Sequence, residues 1–474
     1  VNFGFNYDLN DENSIGASYD LECEPYAKGH ADGQQEIFNE GQPVDIIKQK
    51  VLADDIGGPT HELNAYYVGK VNKLGVDFNG TYLWQKTGRD MLETEEATVL
   101  ENREIHTASR RHNQLFAGKL VLSYPIAKGQ LELGSEVSHT HSSGEYSNAE
   151  GIVADASTDM KENNWAGFLA FSYPLGSFSM DAGLRYEYVS AKYYSFGKYE
   201  EEPSRNYSNW FPNLTLSWNK EPWAASLAYT CKTKRPSYSS LRNEVQYDNR
   251  YMYEGGNPYL RPTIAHDVSL DVMCNWISFG VEYLYEDNPI IWYATLYKHQ
   301  DIAFLRNMNF SSKQTMTAYV IAAPKFDWYQ PTWQVFFQKP FFDAEKYGAP
   351  RGLSKPALGI TWNNKFKLSS TWTSWVTLHA NTTSYNAFRR YRSGYFASMR
   401  MVKTFFDEAL TVNFYADDIF RSQKDQWTMY GDHATLTKDS YNSAREIGVR
   451  VVYKFNSGHR KYKGSGAGNA EKSR

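Results

Sequence analysis

Hydrophobic and polar residues alternate along almost the whole of this chain. Phe178, Met180, Ala182, Leu184, Tyr186 and Tyr188 are separated by Ser179, Asp181, Gly183, Arg185 and Glu187. A period of two places each kind on its own face of a strand. Val76, Phe78, Gly80, Tyr82 and Trp84 stand in the same way against Asp77, Asn79, Thr81 and Leu83, and Ile447, Val449, Val451, Tyr453 and Phe455 against Glu446, Gly448, Arg450 and Lys454. Val1, Phe3, Phe5, Tyr7 and Leu9 follow the pattern from the first residue, as in a strand already under way. The pattern predicts about 19 strands, many near the roughly 9 to 11 residues that cross a bilayer when tilted.

The predicted connections alternate too. Short turns at 10–14, 70–73, 125–129, 219–222, 274–276 and 405–408 alternate with long polar loops at 23–60, 85–112, 141–162, 233–262 and 421–440. Membrane barrels have short periplasmic turns and long outer loops. A soluble sandwich gives no reason for every long loop to fall at one end, and its strands bury their apolar face against a second sheet. The expectation is therefore an all-β chain: a transmembrane, antiparallel, up-and-down barrel, with apolar residues toward lipid, polar residues toward a lumen, and closure removing the edges that lipid would penalise. Asp181, Arg185, Glu187, Asp267, Ser269, Asp271 and Glu282 are then lumen-lining residues, solvated or paired inside. With short turns inside, the first and last strands both run inward. A single-chain bacterial barrel has an even number of strands, so an odd number is expected before Val1.

Composition agrees with this picture. The 474 residues include 36 Tyr, 26 Phe and 13 Trp, yet no run approaches the roughly 18 apolar residues of a membrane helix. A net charge of -4 with scattered basic residues gives no footprint for nucleic acid. Cys23, Cys231 and Cys274 form no C-x-x-C pair; the turn pattern puts Cys231 and Cys274 at opposite ends of their strands, which argues against a disulfide. No nucleophile elbow, zinc-protease pair or phosphate loop occurs, so neither enzyme, cofactor nor metal is expected. His139 and His141 share one strand face, where an interfacial or lumen place suits them better than a metal. Gly464, Gly466 and Gly468, with Ser465, Lys472 and Ser473, read as a flexible periplasmic tail over 456–474, after a barrel over 1–455.

The stretches "TKRPSYSSLRNEVQYDNRY", "YMYEGGNPYLRPT" and "IGVRVVYKFN" resemble the outer-membrane β-barrel family that forms the C-terminal barrel of TonB-dependent receptors. Thr263 stands where that family often has an acidic residue after the proline. The resemblance implies a barrel of roughly 22 strands holding an N-terminal plug, of which about 19 would be present here with three strands and the plug lacking. It further implies the outer membrane of a Gram-negative bacterium, outer-membrane lipids around the wall, and plug and TonB as partners in energy-coupled import of an iron chelate, peptide or glycan. Arg235, Tyr238, Arg242, Tyr247, Tyr251 and Tyr253 offer donors and stacking faces for such a ligand, or else build loop structure or an aromatic girdle. The alternative is a non-transporting barrel subunit of an assembly or surface complex, with a surface lipoprotein or other outer-membrane subunits as partners.

Overall fold

The computed structural model describes residues 1–23, 26–298, 300–441, 444–455 and 464–474. A 21-stranded antiparallel sheet dominates it. Two of its strands, Ala27–Asn39 and Gln42–Ile56, form a hairpin that stands off the wall and pairs through Ile47–Ile56 with the upper part of Leu74–Ala97. The other nineteen form the wall in chain order. They begin Asn2–Asn10, Asn13–Cys23, Pro59–Val71, Leu74–Ala97, Arg103–Ile126, Gly129–Asn148, Ala156–Leu175, Phe178–Ser195, Lys198–Lys220 and Trp223–Lys234. They continue Thr263–Cys274, Ile277–Asp287, Ser312–Ala322, Tyr329–Phe341, Ala357–Lys367, Trp372–Asn381, Gly394–Phe405, Leu410–Asp417 and Glu446–Tyr453. Each pairs with the next. Among the described residues, Asn2–Asn10 and Glu446–Tyr453 pair on one side only.

Exposure follows the period of two. Phe178, Leu184 and Tyr188 are exposed, as are Val268, Leu270, Phe279 and Tyr283 on two later strands. The outward face of a membrane-spanning wall meets lipid tails, so apolar exposure there satisfies rather than violates the solvent. Short turns join the strands at the inner end. At Asn72 and Asn275 the backbone takes φ of 57° and 51°, the left-handed region that asparagine tolerates better than most residues.

At the outer end three of the expected loops are largely strand, 23–60 through the hairpin just described and two others by extension of the wall. Leu74–Ala97 and Arg103–Ile126 pair almost to their tips, as do Gly129–Asn148 and Ala156–Leu175, so only a few residues of the predicted 85–112 and 141–162 loops are irregular. Above the bilayer neither face of a strand meets lipid, so the alternation that reveals a strand is lost while the backbone ladder continues. Later loops carry two small sheets of their own. One joins Val245–Asn249, Met252–Gly255, Ile290–Leu296 and Ala303–Asn309; the other joins Ser384–Asn386, Arg389–Tyr391, Asp425–Tyr430 and Thr435–Ser440. Phe388, wholly buried, packs with Tyr293, Phe310, Phe342 and Met429 to bind these loops into one layer.

Candidate functional site

The connection from Lys234 to Thr263 folds into the mouth of the barrel. Its hairpin, Val245–Asn249 with Met252–Gly255, lies parallel to Ala303–Asn309 from the neighbouring loop. Two glycines make that approach possible. A Cβ on Gly255 would stand 2.7 Å from the Phe304 ring, and one on Gly256 would stand 2.1 Å from the Arg242 carbonyl oxygen. Asn257 then closes the loop: its amide N–H donates to the Ser240 carbonyl at 2.6 Å, and its Nδ2 donates to the Asn307 carbonyl at 3.0 Å. Thr263, where the resembled family often has an acid, donates Oγ1–H to the Asn288 carbonyl at 2.9 Å and accepts the Ile290 N–H at 3.2 Å. A hydroxyl, which donates and accepts, can serve both groups; a carboxylate can serve only the donor.

The loop is fastened to the long strands of the wall. Thr158 Oγ1 donates to Asn243 Oδ1 at 2.6 Å, and Asn243 Nδ2 donates to Ser195 Oγ at 2.9 Å. Glu95, fully buried, accepts from the Tyr247 hydroxyl at 2.9 Å, from the Arg250 amide at 3.1 Å and from Arg250 Nε at 3.0 Å. Such a carboxylate is held by three donors, one of them a cation, and loses most of its compensation if the Arg250 guanidinium is removed.

The residues expected to meet a ligand have these places. Tyr238, Arg242, Tyr247 and Tyr253 are buried, and the Arg235 side chain is nearly so; Tyr251 is half-buried with its hydroxyl 3.3 Å from Asp45 Oδ2. Tyr247 and Tyr253 pack with Ile105, Tyr146, Val153 and Phe304 in one cluster. In this conformation the tyrosines pack within the roof, the loop-building place that the sequence offered as the alternative to ligand contact. Arg242 differs. Its Nε and Nη1 are buried without a hydrogen-bond partner among the described residues, and burial brings its guanidinium down to about 10. The Glu244 charge opposes that effect and the Arg111 charge adds to it by less, Glu244 lying 4.0 Å from Arg111 Nη2. Unused donors on a cation are ready to take acceptor oxygens. Burial also raises two carboxyls of the hairpin, Asp248 to about 6 and Glu254 to about 7.

Below the roof the inward faces carry paired charges. Arg185 bridges Glu136 at 3.1 Å and Glu187 at 2.6 Å, and Glu187 also receives Arg235 Nη2 at 2.6 Å. Asp267 lies 3.9 Å from Lys232 Nζ, Asp271 accepts from the Tyr319 hydroxyl, and Ser269 stands opposite Glu282. Asp181 is exposed, opposite Thr215 and Ser172. Glu95, Glu136 and Glu162, which complete these networks, were not singled out from the sequence, where nothing distinguishes them from other glutamates on polar strand faces.

The tail differs from expectation. Residues 456–463 lie outside the described residues, but 464–474 run inside the wall instead of free in the periplasm. Ser465 and Gly466 amides donate to Asn79 Oδ1 at 2.9 and 3.2 Å, the Ala467 amide to Thr81 Oγ1 at 3.0 Å, and the Gly468 amide to Glu136 Oε1 at 3.1 Å. Glu471 then meets Arg235 at 2.9 Å, and Arg474 pairs with Glu162 while lying 4.3 Å from the Tyr238 ring centroid. Small residues let this backbone approach buried acceptors that would otherwise stay unsatisfied. A polar cavity of about 620 Å³ remains between the segment and Asn2, Asn6, Ser18, Asp20 and Asn64.

A model of the outer membrane protein beta-barrel family matches residues 69–453, the span from the third wall strand to the last. The chain belongs to the outer membrane protein beta-barrel family. Its place is the outer membrane of a Gram-negative bacterium, where the exposed apolar band of the wall meets lipid. Solved structures share the fold at low identity. The copper transporter OprC is 9% identical with a TM-score of 0.55, covering 94% of this chain and 79% of that one. The outer membrane transporter YddB from Escherichia coli is 11% identical with a TM-score of 0.52, covering 96% and 75%. The FrpB iron transporter from Neisseria meningitidis, F5-1 variant, is 11% identical with a TM-score of 0.51, covering 96% and 81%. No curated protein matches the chain.

Proposed function

We propose that this barrel is the membrane part of a TonB-dependent receptor that imports an extracellular nutrient across the outer membrane. The observation that carries the reading is the roof. A passive pore needs an open water path, whereas here the 234–263 loop and its neighbours are packed across the mouth through Glu95, Phe304 and Phe388. A large barrel shut in this way transmits a solute only when something moves, which fits gated, energy-coupled entry better than diffusion. The partners on this reading are a plug within the lumen and TonB behind it, and the fold shared with copper and iron transporters supports the same class.

Arg242, with two unused donors beneath the roof and Arg111 beside it, is the residue on which ligand selection turns. It favours a ligand that presents carboxylate, phenolate or phosphate oxygens, and the reading assigns the chain no catalysis. Deletion of the gene in a strain dependent on a supplied nutrient tests the proposal. Loss of growth on one nutrient class, restored by the native chain and not by Arg242→Met, is the expected result. Unchanged uptake of every iron chelate, peptide and glycan, with disrupted outer-membrane complexes, would replace it with the reading of a structural subunit.

A further inference from the structure

The outward face of the long-strand side carries a cationic row that import through the lumen does not use. Cross-strand register puts His61 beside Trp84, Trp84 beside Gln114, Gln114 beside His141, His141 beside Lys161, and Lys161 beside Lys192. One row up, Lys86 stands opposite His112. The rings form a continuous ladder: His61 to Trp84 at 5.2 Å, Trp84 to His112 at 5.5 Å, and His112 to His141 at 6.4 Å between centroids. Lys161 Nζ lies 5.4 Å from the Tyr194 ring centroid.

Two facts locate this row. Immediately below it, the same strands expose Leu63, Tyr82 and Phe116, then Val137 and Trp165, so it sits at the upper border of the apolar band. The long polar connections rise above it, so that border is the outer leaflet. Lys86, Lys161 and Lys192 are exposed, and among the described residues none has a carboxylate within ion-pair distance. Two of the acids on this face are engaged elsewhere, Asp159 with His141 at 2.5 Å and Asp90 with Arg110 at 2.6 Å, while exposed Glu201 and Glu202, in the bulge that faces Lys192, stay beyond ion-pair distance of it. The equivalent outer row on the opposite side runs His266, Tyr285, Gln314 and Phe341 in register and contains no lysine or arginine. An ordinary interfacial girdle needs only the aromatic rings; the three free ammonium groups on one side need another reason.

We infer that this row is a docking site for the phosphate groups of the outer-leaflet glycolipid, with Lys86, Lys161 and Lys192 as the charged contacts. His112 would donate an N–H bond to the same headgroup, and Trp84 would carry its sugar ring. The occupant follows from the place: the row is level with the headgroups of the leaflet around the barrel, and its charge is complementary to phosphate.

Native mass spectrometry of the whole chain in detergent tests this, with phosphorylated lipid A, the same lipid A after dephosphorylation, and inorganic phosphate as probes. The chain should retain phosphorylated lipid A at least about tenfold better than the dephosphorylated form, since each interfacial lysine contributes severalfold to anionic-lipid binding. The triple variant K86A/K161A/K192A should lose that preference, and the triple arginine variant, which keeps charge and fold, should retain it. An undiminished preference in the alanine variant, no preference in the native chain, or inorganic phosphate displacing the lipid at equal concentration would each overturn the assignment.

Discussion

The six wall strands from Leu74 to Lys220 are 18 to 24 residues long, whereas those from Thr263 onward have 8 to 13. A bilayer asks for only about 10 residues per tilted strand. The short strands therefore end at the interface and hand over to separate small sheets, which need their own hydrophobic core around Phe388. The long strands continue as one ladder above the membrane and gain their rigidity from hydrogen bonds already begun within it. The difference teaches where polar anchoring is possible. On the long side the roof loop is held by hydrogen bonds to wall residues Glu95, Thr158 and Ser195, whereas the loops of the short side are bound to one another by packing of aromatic rings.

Two substitutions separate these modes most strongly. Glu95→Leu leaves the Arg250 guanidinium buried without its anion and should loosen the 245–255 hairpin by about 3 to 5 kcal/mol, seen as faster amide exchange there with the small sheet at 384–440 unchanged. Phe388→Ala should cost about 3 to 5 kcal/mol with the reverse exchange pattern. If either variant loosened both regions equally, the two sides would be one cooperative unit and the distinction would fail.

A smaller effect sharpens the aromatic side. Arg389 lies 5.4 Å from the Trp292 ring centroid and 4.7 Å from that of Trp427, clamping two loops, and Arg389→Ala should weaken their contact by about 1 to 2 kcal/mol, read as faster exchange at 425–430.

The polar side should instead respond to pH. Asp248 and Glu254 have folded-state values of about 6 and 7, above the usual carboxyl range, so the folded hairpin binds protons that the released hairpin gives up. Its stability therefore falls as pH rises from about 4, through those two values, and levels off above them. Hairpin exchange corrected for intrinsic rates should be slower at pH 5 than at pH 8, and Asp248→Asn should flatten the difference. The smallest effect is expected at Arg351, largely exposed and 3.3 Å from Glu345; Arg351→Ala should change stability by less than about 1 kcal/mol.

What could be read from sequence follows the same division. Leu184 outside and Arg185 inside are legible because lipid and water differ sharply across the wall. Beyond Lys86 that contrast ends, and the strand containing Glu93 and Glu95 reads as a polar loop. The 234–263 segment is recognisable by its Gly-Gly-Asn-Pro closure, but whether Tyr247 meets a ligand or Glu95 is fixed by a contact 152 residues distant. The tail misleads for a related reason: glycine, serine and alanine look solvent-loving, yet their backbone N–H groups reach Asn79 and Thr81 inside the wall.

The central claim is that the 234–263 loop is folded inward onto the long strands. Thr158 and Asn243 touch through their side chains at 2.6 Å, so a chain carrying Thr158→Cys and Asn243→Cys, displayed on intact cells, tests it directly. Mild oxidation should join the two positions in a disulfide and protect both from an impermeant maleimide. Rapid maleimide labelling of both thiols, with no disulfide formed, would show the loop extended away from the mouth and would contradict the account.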